Sequence, residues 1–280
     1  PREILVMSPG QKYALLADAD RARIYVFRNE NGEPRLVEDF YMTIGRKGAE
    51  KRVEGDQRTP TGVYFVSRRL PASQLTDFYG AGAFPINYPN EWDRKQGNTG
   101  HGIWLHGVPS DTYSRPPRSS DGCVVVSNPD LIALSKYVQP GVTPLIIATR
   151  TEWLERSQWQ AQRKAILDKL DTWKADWESR DPDLYFGHYS GRFLTDAGSA
   201  WQQGKCRNIG ERDWIRVNMS DISAYLYPAG SLAVVSYTQS YSSDKFSDVT
   251  QKRVYMQPER GQWRIALEET LDAPASVARR

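Results

Sequence analysis

The sequence predicts two domains: a mainly β domain over residues 1–150 and an α+β domain over residues 151–280. Three observations predict this. Before residue 150, short β-branched and aromatic runs alternate with turns rich in Gly, Pro, Asn and Asp, and only one segment reads as a helix. From Thr151 to Arg180 there is no Gly or Pro, and apolar residues recur at helical spacing. From Trp214 onward the pattern is again that of strands, and helices followed by an antiparallel sheet describe an α+β unit.

In the first domain, Lys12–Ala17 and Ala22–Arg28 are two β-type runs joined by Asp18, Ala19 and Asp20, so they read as a hairpin. Arg35–Ile44 alternates apolar and polar residues and reads as a third strand. Gly55–Gly62 (GDQRTPTG) predicts a loop entering a buried strand at Val63–Val66. Residues 71–100 read as long loops, which inside a compact domain usually carry function. Gly102–His106 is a short strand ending on a histidine, and Cys123–Val126 is another. Asn128 and Pro129 then suit the N-cap and first position of a helix that buries Leu131, Leu134 and Val138 and stops at Pro140-Gly141. Thr143–Ala148 is the last strand.

In the second domain, Ile166, Leu170, Trp173 and Trp177 form an amphipathic stripe. Asp181-Pro182 ends that helix, and a second helix carries Leu184, Tyr185 and Tyr189. After Phe193 the pattern returns to strands over 214–219, 221–226, 232–241, 251–256 and 263–267.

Composition narrows the function. The 280 residues are 39% hydrophobic and 11% aromatic, and no apolar run approaches the ~18 residues of a membrane span. The net charge of +3, from 37 basic and 34 acidic residues, comes with no Lys/Arg stripe, so nucleic acid is not an expected partner. Three histidines without a Cys/His/Asp cluster argue against a metal site, and no cofactor is expected. The chain opens at Pro1 with no initiator Met, and an export signal is expected to have been removed.

The chemistry concentrates between His106 and Cys123, in HGVPSDTYSRPPRSSDGC. A free cysteine is commonly just a small buried hydrophobe. Here it follows Gly122 in a polar turn, and the histidine ends a strand from which its ring can face a cleft. A thiol is mostly protonated at neutral pH, so a nucleophilic cysteine needs a base beside it. Cys123 as nucleophile and His106 as base is therefore the pairing to weigh. His101, five residues earlier, should point to the opposite strand face and reads as structural or as a neighbour that supports the site from behind.

These residues resemble the catalytic domain of the L,D-transpeptidase family of peptidoglycan enzymes. The resemblance rests on Thr59-Pro60-Thr61-Gly62, His106-Gly107, Ser120-Asp121-Gly122-Cys123 and Tyr88-Pro89-Asn90, and covers roughly residues 12–149. Many members have His where Asp121 stands and Arg or Asn where Val125 stands. Those positions bear on the acceptor and the outcome rather than on the nucleophile.

The resemblance implies thioester chemistry on the bond between diaminopimelate and D-alanine in peptidoglycan stem tetrapeptides. Cys123 attacks, His106 moves the proton, the Gly107 carbonyl orients the imidazole, and the backbone N–H groups of Gly122 and Cys123 hold the oxyanion. Arg118, and after it Arg115, are candidates for the substrate carboxylates, with Ser120 and Asp121 beside them. Transfer to an amine makes the enzyme an L,D-transpeptidase. Transfer to water makes it an L,D-carboxypeptidase that trims tetrapeptide to tripeptide. An amidase-like cut of a stem-linked lipoprotein and a catalytically silent wall-binding protein are the other readings. The implied location is the periplasm.

The second domain resembles the cone-shaped nuclear-transport-factor-like fold through Trp173, Trp177, Asp181, Tyr185, Tyr189, Phe193, Gln239, Tyr241, Lys252 and Trp263-Arg264-Ile265. Such domains often pair, so a homodimer through this domain is one expectation and recognition the other. His188 and Cys206 have no companion in the sequence and read as structural.

Overall fold

The computed structural model describes residues 1–271, which form two compact units. Unit 1 comprises Pro1–Glu3, Pro9–Trp153 and Tyr227–Ala229. Unit 2 comprises Ile4–Ser8, Leu154–Leu226 and the chain from Gly230. The first strand, β1 (Ile4–Val6), therefore belongs to unit 2.

Unit 1 is mainly β. The predicted hairpin is β2 (Tyr13–Asp18) and β3 (Arg23–Glu30), and β4 (Glu33–Tyr41) follows. Next come β5 (Ile44–Gly45) and β6 (Gly62–Phe65). The stretch 71–100 holds more regular structure than its loop-like composition suggests: β7 (Leu70–Pro71) leads into it, and β8 (Gly82–Pro85) and α1 (Glu91–Lys95) lie within it. Asn90 caps α1, its side chain accepting from Asp93 N while the Asp93 carboxylate accepts from Asn90 N. The Tyr88-Pro89-Asn90 segment is thus a helix start; Asn90 Nδ2 also donates to Val63 O at 3.2 Å and Tyr227 Oη at 3.0 Å.

After α1 come β9 (Trp104–His106), β10 (Arg118–Ser120) and β11 (Val124–Val125). α2 (Asn128–Ser135) and β12 (Pro144–Ala148) complete the unit. One sheet runs β4-β3-β2-β12-β6, a second β11-β9-β8-β7, and β5 pairs with β10. β12 (PLIIA) is buried along its whole length, as its unbroken apolar run requires. The core joins residues of both sheets, among them Leu15, Val26, Tyr64, Phe84, Leu105, Val124 and Ile147. Each such side chain contributes about 1.5–3 kcal/mol on burial. Asn128 is not the cap of α2: Ser127 is, its hydroxyl accepting from Asp130 N at 3.2 Å, and Asn128 is the first helical residue.

Unit 2 is α+β. α3 (Arg156–Glu178) buries Ile166, Leu170, Trp173 and Trp177, the predicted stripe. α4 (Pro182–Phe186) buries Tyr185 but leaves Leu184 exposed; Tyr189 lies beyond the helix, bridged to Ile265. α5 (Gly191–Gly210) occupies a stretch where the sequence shows no regular element. Its glycines and single buried residue, Ile209, hide the period, and Gly198 (φ 77°) interrupts the helix. β13 (Ile215–Leu226) unites the two strands expected on either side of residue 220, through an irregularity between Ser220 and Ser223. β14 (Ala233–Ser243), β15 (Ser247–Glu259) and β16 (Gln262–Leu271) complete an antiparallel sheet in the order β1-β13-β14-β15-β16. No helix among the described residues is long and apolar enough to cross a membrane.

Candidate active site

His106 closes β9 and is 1% exposed. Its Nδ1 lies 2.6 Å from Gly107 O. A carbonyl only accepts, so Nδ1 carries the ring hydrogen and Nε2 presents the lone pair. Burial pushes the imidazole down to about 4, the Gly107 bond opposes this, and the charge of Arg115 adds to it. The ring is therefore neutral at neutral pH, the state a general base requires.

Asn128 holds the backbone on which this geometry depends. Its Oδ1 accepts from Ala81 N at 2.9 Å and Val108 N at 3.2 Å, and its Nδ2 donates to Val108 O at 2.8 Å. The amide fits because two neighbours are glycines: a Cβ on Gly80 or Gly107 would lie 2.1 or 2.2 Å from Asn128 Oδ1. Because Ser127 caps α2, the Asn128 side chain can make these bonds.

Cys123 is half-buried at the end of a tightly bonded turn. Ser120 Oγ donates to Cys123 O at 2.6 Å and accepts from Gly122 N at 3.1 Å. Gly122 has φ +132°, and a Cβ there would meet Arg58 O at 2.8 Å. Thr59 Oγ1 donates to Gly122 O and accepts from Gly45 N, both at 2.9 Å. The Thr-Pro-Thr-Gly element therefore braces the cysteine turn itself. Since Gly122 N–H is bound to Ser120, it is not one of the oxyanion donors that the sequence suggested. The Cys123 sulfur lies 3.5 Å from Gly102 O. Burial raises the thiol, a hydrogen bond from the Trp104 backbone lowers it, and Asp121 raises it further. Both cysteines of the chain are free.

The parallel register of β11 on β9 sets Val125 beside His106. Cys123 stands two residues before Val125, just ahead of β11. Tyr79 links Cys123 and His106. Its ring meets the His106 ring edge-on at 5.1 Å and stacks near Trp104 at 4.8 Å, and the charge of a Cys123 thiolate acts on its hydroxyl.

Phe78 lies 5.8 Å from the His106 ring and is 48% exposed. Phe78 and Tyr79 form a wall that the sequence reading did not single out; the available signal was an aromatic pair ahead of a glycine in a long loop.

Arg115 holds its guanidinium 5.2 Å over the Phe78 ring, while its carbonyl accepts from Tyr41 Oη at 2.7 Å and Thr43 Oγ1 at 3.1 Å. It acts on both His106 and Cys123. Arg118 is turned toward Gly48, whose added Cβ would lie 3.8 Å from its guanidinium carbon. Asp121 is exposed and paired with Arg46 at 2.9 Å. His101 is not on β9; it is exposed beside Glu54 at 3.5 Å.

Residues 12–147 match the L,D-transpeptidase catalytic domain family, and residues 165–269 match the Cds6 C-terminal NTF2-like domain. The structure is similar to that of Bd1075 from Bdellovibrio bacteriovorus, with a TM-score of 0.86 and 27% identity over 99% of each chain. It is also similar in fold to the helical cell shape determining protein Pgp2 from Campylobacter jejuni, with a TM-score of 0.77 and 23% identity over 95% of each chain. No curated protein matches the sequence.

Proposed function

We propose that this chain, which joins an L,D-transpeptidase-family catalytic domain to an NTF2-like domain, is a cysteine acyl-transfer enzyme that acts on stem tetrapeptides of peptidoglycan as an L,D-transpeptidase. The observation that carries this reading is a neutral imidazole of fixed tautomer, His106, at the end of the strand that pairs with the one Cys123 leads into. The thiol sulfur attacks the carbonyl carbon between diaminopimelate and D-alanine, and its proton passes to His106 Nε2. The Cys123 N–H is the turn donor assigned to the oxyanion. His106 then protonates the departing amine, D-alanine leaves and a thioester remains. The acyl group passes to an amine of a second stem, which restores the thiol.

Arg115, poised over Phe78 at the edge of the site, is the group assigned to a substrate carboxylate. Arg118, Ser120 and Asp121 shape the turn and its rim. The NTF2-like domain serves recognition or self-association, and the place of work is the periplasm. The name of Pgp2 connects this architecture with control of cell shape.

The test is incubation with a disaccharide-tetrapeptide muropeptide, with and without an added D-amino acid, read by mass. Cross-linked dimer or D-amino-acid exchange that vanishes in Cys123→Ala supports the transpeptidase. Tripeptide alone makes water the acceptor and the enzyme an L,D-carboxypeptidase. No Cys123-dependent product removes the reading and leaves a wall-binding protein.

A further inference from the structure

Unit 2 contains a cleft of about 530 Å³ walled by α3, the end of α4 and the β15–β16 turn. Three of its side chains form a hydrogen-bonded series. His188 is 6% exposed; its Nε2 lies 2.7 Å from Asp176 Oδ2, and its Nδ1 meets Lys169 Nζ. His188 shows no companion in the sequence, because these partners stand 12 and 19 residues away on α3. A carboxylate only accepts, so Nε2 carries the ring hydrogen and Nδ1 offers its lone pair to the amine.

Lys169 therefore faces a neutral acceptor. Among the described residues no carboxylate lies within ion-pair distance of its Nζ. Arg264 adds a second positive charge: Ile265 N donates to His188 O at 2.9 Å, which fixes that strand beside the histidine. A Cβ on Gly187 would lie 3.9 Å from Arg264 Nη1. The other charged groups lining the cleft are Asp168, bound to Lys164 Nζ at 2.6 Å, and Asp183 in the first turn of α4. Burial first, and then the charge of Arg264, lower the Lys169 amine to about 8. Burial also lowers His188, against the pull of Asp176.

A carboxylate that orients an imidazole that in turn contacts a nucleophile is the arrangement of an activated nucleophile. The cleft volume falls in the ~300–1,000 Å³ range of small-molecule sites, and Leu184 and Trp263 supply apolar wall.

We propose that Lys169 is a nucleophilic amine that condenses with small carbonyl compounds, with His188 as its proton acceptor and Asp176 as the residue that positions His188. His188 Nδ1 takes a proton from the Lys169 ammonium. The Nζ lone pair attacks the carbonyl carbon, and the π pair moves to oxygen, which takes up a proton. The resulting carbinolamine loses its hydroxyl as water while nitrogen forms the C=N bond. Amine plus carbonyl gives imine plus water, with no change of oxidation state. None of these steps involves Cys123.

The test uses the full chain with butyraldehyde and cyanoborohydride at pH 7, the hydride serving only to trap the imine, and maps modified lysines by peptide mass. Lys164, exposed on the same helix, is the internal reference. An amine near 8 carries far more free base at pH 7 than an ordinary lysine near ~10.4, so Lys169 is expected to label at least about tenfold faster than Lys164. The ratio should persist in Cys123→Ala and fall toward one in His188→Gln, with thermal melting as the check on folding. Labelling of Lys169 no faster than Lys164 in the unmodified protein overturns the nucleophile. A ratio unchanged in a folded His188→Gln overturns the relay.

Discussion

His106, the base of the proposed reaction, also bears on stability through its buried ring. Its folded value lies near 4 against an ordinary ~6.5, so the folded state holds it neutral. The stability this contributes is complete above about pH 6.5 and is lost as pH falls toward 4, worth about 3 kcal/mol over that range. Comparing denaturant unfolding of the parent with His106→Gln isolates this group from the carboxylates. The stability difference should shrink by that amount between pH 7 and pH 4; a difference flat with pH refutes the assignment.

Thr59 is a second point of control at this scale, because its hydroxyl both donates to Gly122 O and accepts from Gly45 N. Thr59→Val leaves both backbone groups unpaired in a buried place and should cost about 1–3 kcal/mol. It should also slow Cys123 alkylation by iodoacetamide, since the turn that aims the thiol loses its brace. Alkylation at the parent rate would show that the turn holds without it. The candidate Cys123–His106 pair stood out because both residue types are rare here and flank a polar loop. Thr59 read only as a turn-former, because nothing in a Thr-Pro-Thr-Gly run reveals a partner 63 residues away.

At the scale of elements, α2 separates two jobs that the sequence merges. Asn128 before Pro129 looks like a cap, and Ser127 looks incidental, yet the hydroxyl caps and the amide staples two loops. Ser127→Ala should cost about 0.5–2 kcal/mol through the helix start alone and leave Cys123 chemistry intact. Asn128→Ala leaves three backbone partners unsatisfied and should cost more, with muropeptide turnover falling because Val108, next to Gly107, is no longer tied to Ala81. Equal losses of stability and no loss of turnover in Asn128→Ala would return the residue to a capping role. The α3 stripe was readable because four large residues repeat on one face. α5 was not, because its contacts come from Phe193, Leu194 and Trp201 at irregular spacing around a broken turn at Gly198.

At the scale of the whole molecule, the order of residues is not the order of domains. Composition changes near residue 150, which made two domains legible, but a three-residue strand carries no periodicity that says which sheet it joins. β1 pairs antiparallel with β13, Ile4 against Tyr225, and Ile4 O accepts from Trp159 Nε1 at 2.8 Å. Leu5 and Val6 enter the core around Trp173 and Trp177. Removing residues 1–8 therefore strips an edge strand and two core side chains from unit 2, while unit 1 loses only its Pro1–Glu3 tail. Leu5 alone contributes about 1.5–3 kcal/mol by burial, and the exposed β13 edge would add a route to aggregation. The truncated chain should show a lowered melting transition for unit 2, followed by protection of unit 2 amides in hydrogen exchange. Cys123 alkylation at 25 °C should stay close to the parent rate, since β9, β11 and their supports are untouched. If unit 1 amides lose protection instead, the N-terminal strand serves the catalytic domain, and the division of the chain must be redrawn.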